Sequence, residues 1–321
     1  MRPADIHIPS YVKTILLLDR TKPKNETITT IEGVLTGQLP GENRAATQGA
    51  LQELNKSLQI SPRFGSIMAS ERVEGNSLTA AFPDPLSSGF VQKLCESHNA
   101  EAIVAIEVFD SDFIITDGKR KKKKIVGDGA NKREIEVDEY YASGIATIKL
   151  GIRLYDRTSA TIVDEHIYTR TNTWNSAAAS KSQALAQLLS KGEATRELAK
   201  LMASDYAYKI APLPSSVSRS FYKKSRKSSQ IEQGSRLGDV NNWYEAVEVW
   251  KSGLQNADKK RSGILSYNIA IGYEVLGELD LAIKWAQDAY TKYENKMAKD
   301  YVWALKQRKQ SEERLKQQMD K

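Results

Sequence analysis

Residues 12–18 read Val-Lys-Thr-Ile-Leu-Leu-Leu and are closed by the charged pair Asp19-Arg20. An apolar run of that length is too short for an independent helix. It fits a strand buried on both faces. Upstream, Arg2-Pro3-Ala4-Asp5-Ile6-His7-Ile8-Pro9 contains two prolines that keep it extended, so residues 1–10 read as a lead-in arm. Downstream, past a polar loop, Ala46, Ala50, Leu51, Leu54 and Leu58 recur at helical spacing within 45–58, and Pro62 stops that helix. Residues 63–70 then read as a second strand and 102–108 as a third. Between them, 88–98 reads as a helix with Phe90, Val91, Leu94 and Cys95 on one face. Cys95 on that face is a small core residue rather than a nucleophile.

The period then changes. Ala146, Ile148, Leu150, Ile152 and Leu154 alternate with more polar residues over 144–155, and a second alternating strand spans 161–173. The turn Asp156-Arg157-Thr158-Ser159-Ala160 joins them into a long antiparallel hairpin. Residues 113–141 are polar, with Gly118, Gly127 and Gly129. They read as a long exposed loop or extended hairpin carrying a basic loop, Lys119, Arg120, Lys121, Lys122, Lys123 and Lys124, at its tip. A long helix is expected over 180–210, with Leu185, Leu188, Leu189, Leu198, Leu201, Met202 and Tyr206 as its apolar stripe. Ala211-Pro212-Leu213-Pro214-Ser215-Ser216 breaks it and marks a domain boundary. The expected fold class is α+β. A mixed or antiparallel sheet with packed helices occupies 11–213 in the order βαβαβ-hairpin-α, and an all-α domain occupies 214–321.

At 321 residues, 40% hydrophobic and 27% charged, the chain has material for two cores and is not disordered throughout. One cysteine excludes an intrachain disulfide and a thiolate-rich metal site, and the three histidines lie far apart. Neither a cofactor nor a metal is expected. The formal net charge is +7, with 20 basic and 14 acidic residues after position 214 and 27 against 26 before it. No aromatic–glycine reader pattern accompanies the basic clusters, so specific nucleic-acid binding is not expected. A weak attraction to anionic membrane or polysaccharide is.

Residues 267–283, Tyr-Asn-Ile-Ala-Ile-Gly-Tyr-Glu-Val-Leu-Gly-Glu-Leu-Asp-Leu-Ala-Ile, closely resemble one tetratricopeptide unit. The resemblance makes Ile269 and Ala270 the paired large and small positions of a first helix, with Tyr273 one turn later. Gly277 becomes the turn, and Ala282 and Ala289 the small residues of a second helix. A weaker preceding copy uses Gly234, Leu237, Ala246, Trp250 and Gly253, with a capping helix over 294–321. Small residues let paired helices approach, and large ones fill the gaps between units. What this family implies is a concave groove for an extended or helical peptide, faced by Ile231, Ser235, Tyr267, Ile271 and Glu274. The alternative is a buttress with no ligand of its own.

The arm leading into Val12–Arg20, together with Tyr208-Lys209-Ile210-Ala211-Pro212 at the end of the long helix, is similar to an uncharacterised family of Bacteroidota cell-envelope lipoproteins. The first domain resembles, more distantly, the periplasmic α/β domains of the curli-secretion channel and the TolB amino-terminal region. This similarity implies a periplasm-facing protein tethered to the outer membrane by an upstream lipidated cysteine. No such cysteine precedes Pro3 in this chain, which starts Met1-Arg2-Pro3. The function expected is a non-enzymatic scaffold that binds an envelope protein or peptide. The alternatives are a cytosolic tetratricopeptide adaptor and an enzyme using Asp110, Asp112, Asp164, Glu165 or His166 near strand ends. Glu165 and His166 are adjacent on a strand and point to opposite faces, so they cannot share a site directly.

Overall fold

The computed structural model describes residues 1–22, 41–75, 81–159, 161–226 and 228–319. The chain forms two compact units, one over Ala4–Leu213 and one from Pro214 onward. The polar loop expected after Asp19-Arg20 falls mainly outside the described residues.

The first unit is α+β. Among the described residues its strands are β1 (Thr14–Lys22), β2 (Gly65–Glu74), β3 (Ala102–Val126), β4 (Arg133–Asp156) and β5 (Ile162–Ala178). They form one mixed sheet in the order β2-β1-β3-β4-β5, with β1 parallel to β2 and β3, and β4 antiparallel to β3 and β5. The Ile15–Leu18 run is buried on both faces because helices cover both. Ile15 and Leu17 pack under α1 (Glu42–Gln59) and α4 (Lys191–Ile210), whereas Leu16 and Leu18 pack under α2 (Ser88–Ser97). Each such leucine contributes roughly 1.5–3 kcal/mol by leaving water. The alternating Ala146–Leu154 face lies wholly in the first of these cores. The amino-terminal arm docks by main chain, with the Asp5 and Ile6 amides donating to the Lys209 carbonyl at 2.9 and 3.0 Å.

Two expectations need correction. The long helix over 180–210 is broken into α3 (Lys181–Ala186) and α4. Ser190 and Glu193 form a reciprocal capping box that starts a new helix, and Leu185 and Leu201 stay exposed while Ala194, Leu198, Met202 and Tyr206 face the core. The cations Lys119, Arg120, Lys121, Lys122, Lys123 and Lys124 are not a loop tip. They lie within β3, paired in register with Tyr140 down to Ile135 of β4. Cross-strand carboxylates hold the ribbon together. Asp138 meets Lys119 and Lys121 at 2.7 and 2.8 Å, Glu139 meets Arg120 and Lys122 at 2.6 and 2.5 Å, and Glu134 meets Lys123 at 2.6 Å. Hydrogen bonds from those cations hold the Asp138 and Glu139 carboxyls below their ordinary range.

The second unit is helical: α5 (Ser229–Asp239), α6 (Trp243–Ser252), α7 (Lys259–Val275), α8 (Leu279–Thr291) and α9 (Met297–Met319). The α5–α6 and α7–α8 turns are alike. Asn241 and Gly277, 36 positions apart, both take positive φ (67° and 84°). The amide after each, at Asn242 and Glu278, bonds back to Leu237 and Tyr273 at 2.9 Å, the Schellman ending of a helix. Small residues sit where the helices cross. Ala246, Ala270, Ala282 and Ala289 are fully buried, and a Cβ on Gly234 would collide with the Trp250 indole.

Candidate functional site

α7 is the centre of the helical unit. Every residue from Ser262 to Gly272 is buried, so helix propensity alone did not choose its sequence. One side contacts α8 and α9 through Tyr267, Ala270, Ile271, Ala282, Ala286, Ala289, Tyr301 and Leu305. Another meets α5 and α6 through Ile231, Val247, Trp250, Leu265 and Ile269. The inner face between them is occupied by the chain itself, through an irregular segment at 218–226 that we call the strap.

The strap is held by its backbone and by three side chains. Asn268, fully buried, accepts from the Tyr222 amide at 2.9 Å and donates its own amide to the Tyr222 carbonyl at 2.8 Å. Both main-chain groups of one residue are thereby paired, as a neighbouring strand would pair them. Tyr267 donates its hydroxyl to the Ser220 carbonyl at 3.3 Å, and Ser235 donates to the Lys223 carbonyl at 3.0 Å. Phe221 meets Trp243 and Trp250 edge-on, with ring centroids 5.7 and 6.1 Å apart, and Tyr222 meets Tyr267 at 5.6 Å.

Arg219 supplies the charge. Its Nε and Nη2 donate to Oε2 and Oε1 of Glu274 at 2.8 and 2.9 Å, a bidentate pair. The Glu274 side chain is 1% exposed and has two further donors, Tyr301 at 2.7 Å on Oε2 and Arg308 at 2.9 Å on Oε1. Burial pushes its carboxyl up. Donated bonds from Arg219, Tyr301 and Arg308 outweigh that and hold it below the ordinary carboxylate range. The same burial and the Glu274 charge push the Tyr301 phenol up.

The five side chains expected to face an open groove (Ile231, Ser235, Tyr267, Ile271 and Glu274) are all buried. They are not an exposed docking face, because the strap and the neighbouring helices enclose them. Three of the five still touch the strap: Ser235, Tyr267 and Glu274. The packing positions Gly234, Ala246, Trp250, Ala270, Ala282 and Ala289 are buried as small or interlocking residues, Tyr273 is half-buried under Lys251, and Gly277 turns the chain. Sequence reasoning missed Asn268, Tyr301, Arg308 and the strap itself. The available signal was Arg219-Ser-Phe-Tyr222, an adjacent aromatic pair inside an otherwise serine- and lysine-rich linker.

In the first unit two of the candidate acids are held in ion pairs. Asp164 accepts from Lys209 at 2.8 Å, Glu165 accepts from Arg153 at 2.6 Å, and His166 stacks edge-on to Tyr168 at 4.3 Å. Burial and the Lys209 charge lower the His166 pKa. Asp110 and Asp112 are exposed on β3. Cys95 is fully buried, and burial pushes its thiol up to about 11. Glu107, also fully buried, binds Arg20, Arg153 and Tyr155 at 2.9, 2.9 and 2.7 Å. The same two arginines pin the carbonyls of Asp84 and Pro83, so the cluster anchors a loop. Among the described residues no three His, Cys, Asp or Glu side chains are grouped to hold a metal ion, and no helix is long and apolar enough to cross a membrane.

A family described as a domain of unknown function, DUF8603, matches residues 12–222, from just before β1 into the strap as far as Tyr222. The chain belongs to that family. A second domain of unknown function, DUF6340, matches residues 232–307 of this DUF8603 protein. Among solved structures it is similar to the PelC dodecamer from Paraburkholderia phytofirmans, at 12% identity and a TM-score of 0.30 over 66% of this chain and 97% of that one. A neuraminyllactose-binding hemagglutinin homolog from Helicobacter pylori is similar at 10% identity and a TM-score of 0.28, covering 65% and 96% of the two chains. No curated protein matches it.

Proposed function

We propose that this chain is a non-enzymatic cell-envelope scaffold whose tetratricopeptide-like helical unit holds an extended polypeptide segment. The observation that carries the reading is the Asn268–Tyr222 pair. A fully buried side-chain amide grips the main chain of a segment that is neither helix nor strand. Such a grip reads backbone independently of side-chain identity, which is what a protein-interaction surface needs. Two helix pairs repeating at 36 positions, with small residues at their crossings, support the tetratricopeptide-like assignment. The envelope placement and lipid tether rest on the resemblance of the arm and first strand. Against an enzymatic role, Asp164 and Glu165 are ion-paired to Lys209 and Arg153, and Cys95 is buried.

A photoreactive side chain at position 239, on the surface beside Lys223 of the strap, in the full chain irradiated in native cells, tests the reading. Discrete adducts heavier than the chain, lost on Asn268→Ala with helix content retained, are the expected result. Only intrachain crosslinks would contradict it.

A further inference from the structure

Resting on that reading, we infer that the strap is a built-in occupant, and that the ligand displacing it is an extended segment carrying arginine, one spacer and two aromatic residues. Each position of Arg219-Ser220-Phe221-Tyr222 has its own receptor. Glu274 takes the guanidinium in bidentate fashion, the Ser220 carbonyl is bound by Tyr267, Phe221 lies against Trp243 and Trp250, and Asn268 reads the Tyr222 backbone. The flanking side chains of Ser218, Lys223 and Lys224 are exposed, and Lys223 reaches Asp239 on the surface at 2.7 Å.

The receptor is built so that its occupant can leave. When Arg219 withdraws, each oxygen of Glu274 keeps one donor: Tyr301 on Oε2 and Arg308 on Oε1. No buried charge is orphaned, which is the step that normally makes breaking such a pair prohibitive. Phe221 and Tyr222 are only partly buried, so the strap covers the inner face without forming its core. Covalent attachment keeps the strap at an effective concentration in the millimolar range. A separate segment of the same chemistry therefore binds the intact chain weakly, and binds strongly once the strap is released.

The test uses the full chain and a labelled peptide copying residues 216–226. In the release variant, Arg219→Ser, Phe221→Ser and Tyr222→Ser remove the strap side chains and leave every helix residue unchanged. Fluorescence anisotropy should show the release variant binding the peptide roughly 100-fold more tightly than wild type. Alanine at the peptide's arginine or phenylalanine should weaken binding at least about tenfold. If the release variant binds scrambled and native peptides equally, the ligand chemistry inferred here is wrong while a general peptide-holding function stands. If it binds neither, both fall. Should the variant lose helix content, recovery of that content on adding the peptide supports the inference, and no recovery overturns it.

Discussion

Lys119 to Lys123 stand on β3 with side chains 51–72% exposed, each beside a carboxylate of β4. Arg219 stands in a serine- and lysine-rich linker, four residues before Lys223, and meets a carboxylate that is 1% exposed and shared with Arg308 and Tyr301. Conspicuous charge in the first region is solvated and met by the neighbouring strand, so each pair contributes little. The Arg219 guanidinium of the second region joins a desolvated carboxylate that Arg308 and Tyr301 also hold, where each bond is stronger. Burial, rather than the number of charges in a row, marks which one binds something specifically.

Removing the shared carboxylate should have the largest effect. Glu274→Ala strands two guanidinium groups and a phenol around one missing acceptor and should cost about 3 kcal/mol, read from the urea midpoint of helical signal. A midpoint unchanged from wild type would erase the contrast between the two regions. Next, Ala282→Leu crowds a fully buried helix crossing and should cost about 1–3 kcal/mol in thermal melting, with no change expected if α8 merely leans on α7.

A pH series sharpens the contrast further. The Glu274 carboxyl is depressed in the folded chain, so its contribution is fully present above its unfolded pKa near 4.3 and is lost as pH falls through the folded value. Urea midpoints between about pH 3 and pH 6 should fall less steeply in Glu274→Gln than in wild type; parallel curves would show that the carboxylate charge is not what the strap anchor uses. The smallest effect belongs to the ribbon. Lys121→Gln should leave the melting midpoint unmoved, and a loss approaching that of Glu274→Ala would mean the β3–β4 ion pairs act as a network.

Much of the first unit was legible because its signals are periodic. The Ile15–Leu18 run, buried on both faces, and the alternation from Ala146 to Leu154 each admit one reading of sheet position. The break at Ser190 was hidden in a helical stripe, although Ser190 and Glu193 carry the capping-box spacing. The Lys119–Lys124 run reads as a loop tip because its neutralising carboxylates lie 11 to 19 residues away in sequence and become adjacent only through strand register. Asn268 was the hardest residue to find. A lone asparagine in a helix has no periodic signature, and its role exists only once Tyr222, 46 positions earlier, folds against it.

Amide hydrogen exchange at Tyr222 in the unmodified chain tests most directly whether the strap is a separable occupant. Its N–H should be protected, yet should open with a clearly smaller free energy than the buried amides of α7, showing that the strap detaches while the helices stay folded. Exchange of Tyr222 only together with the α7 amides, through global unfolding, would make the strap a permanent part of the core and contradict that view.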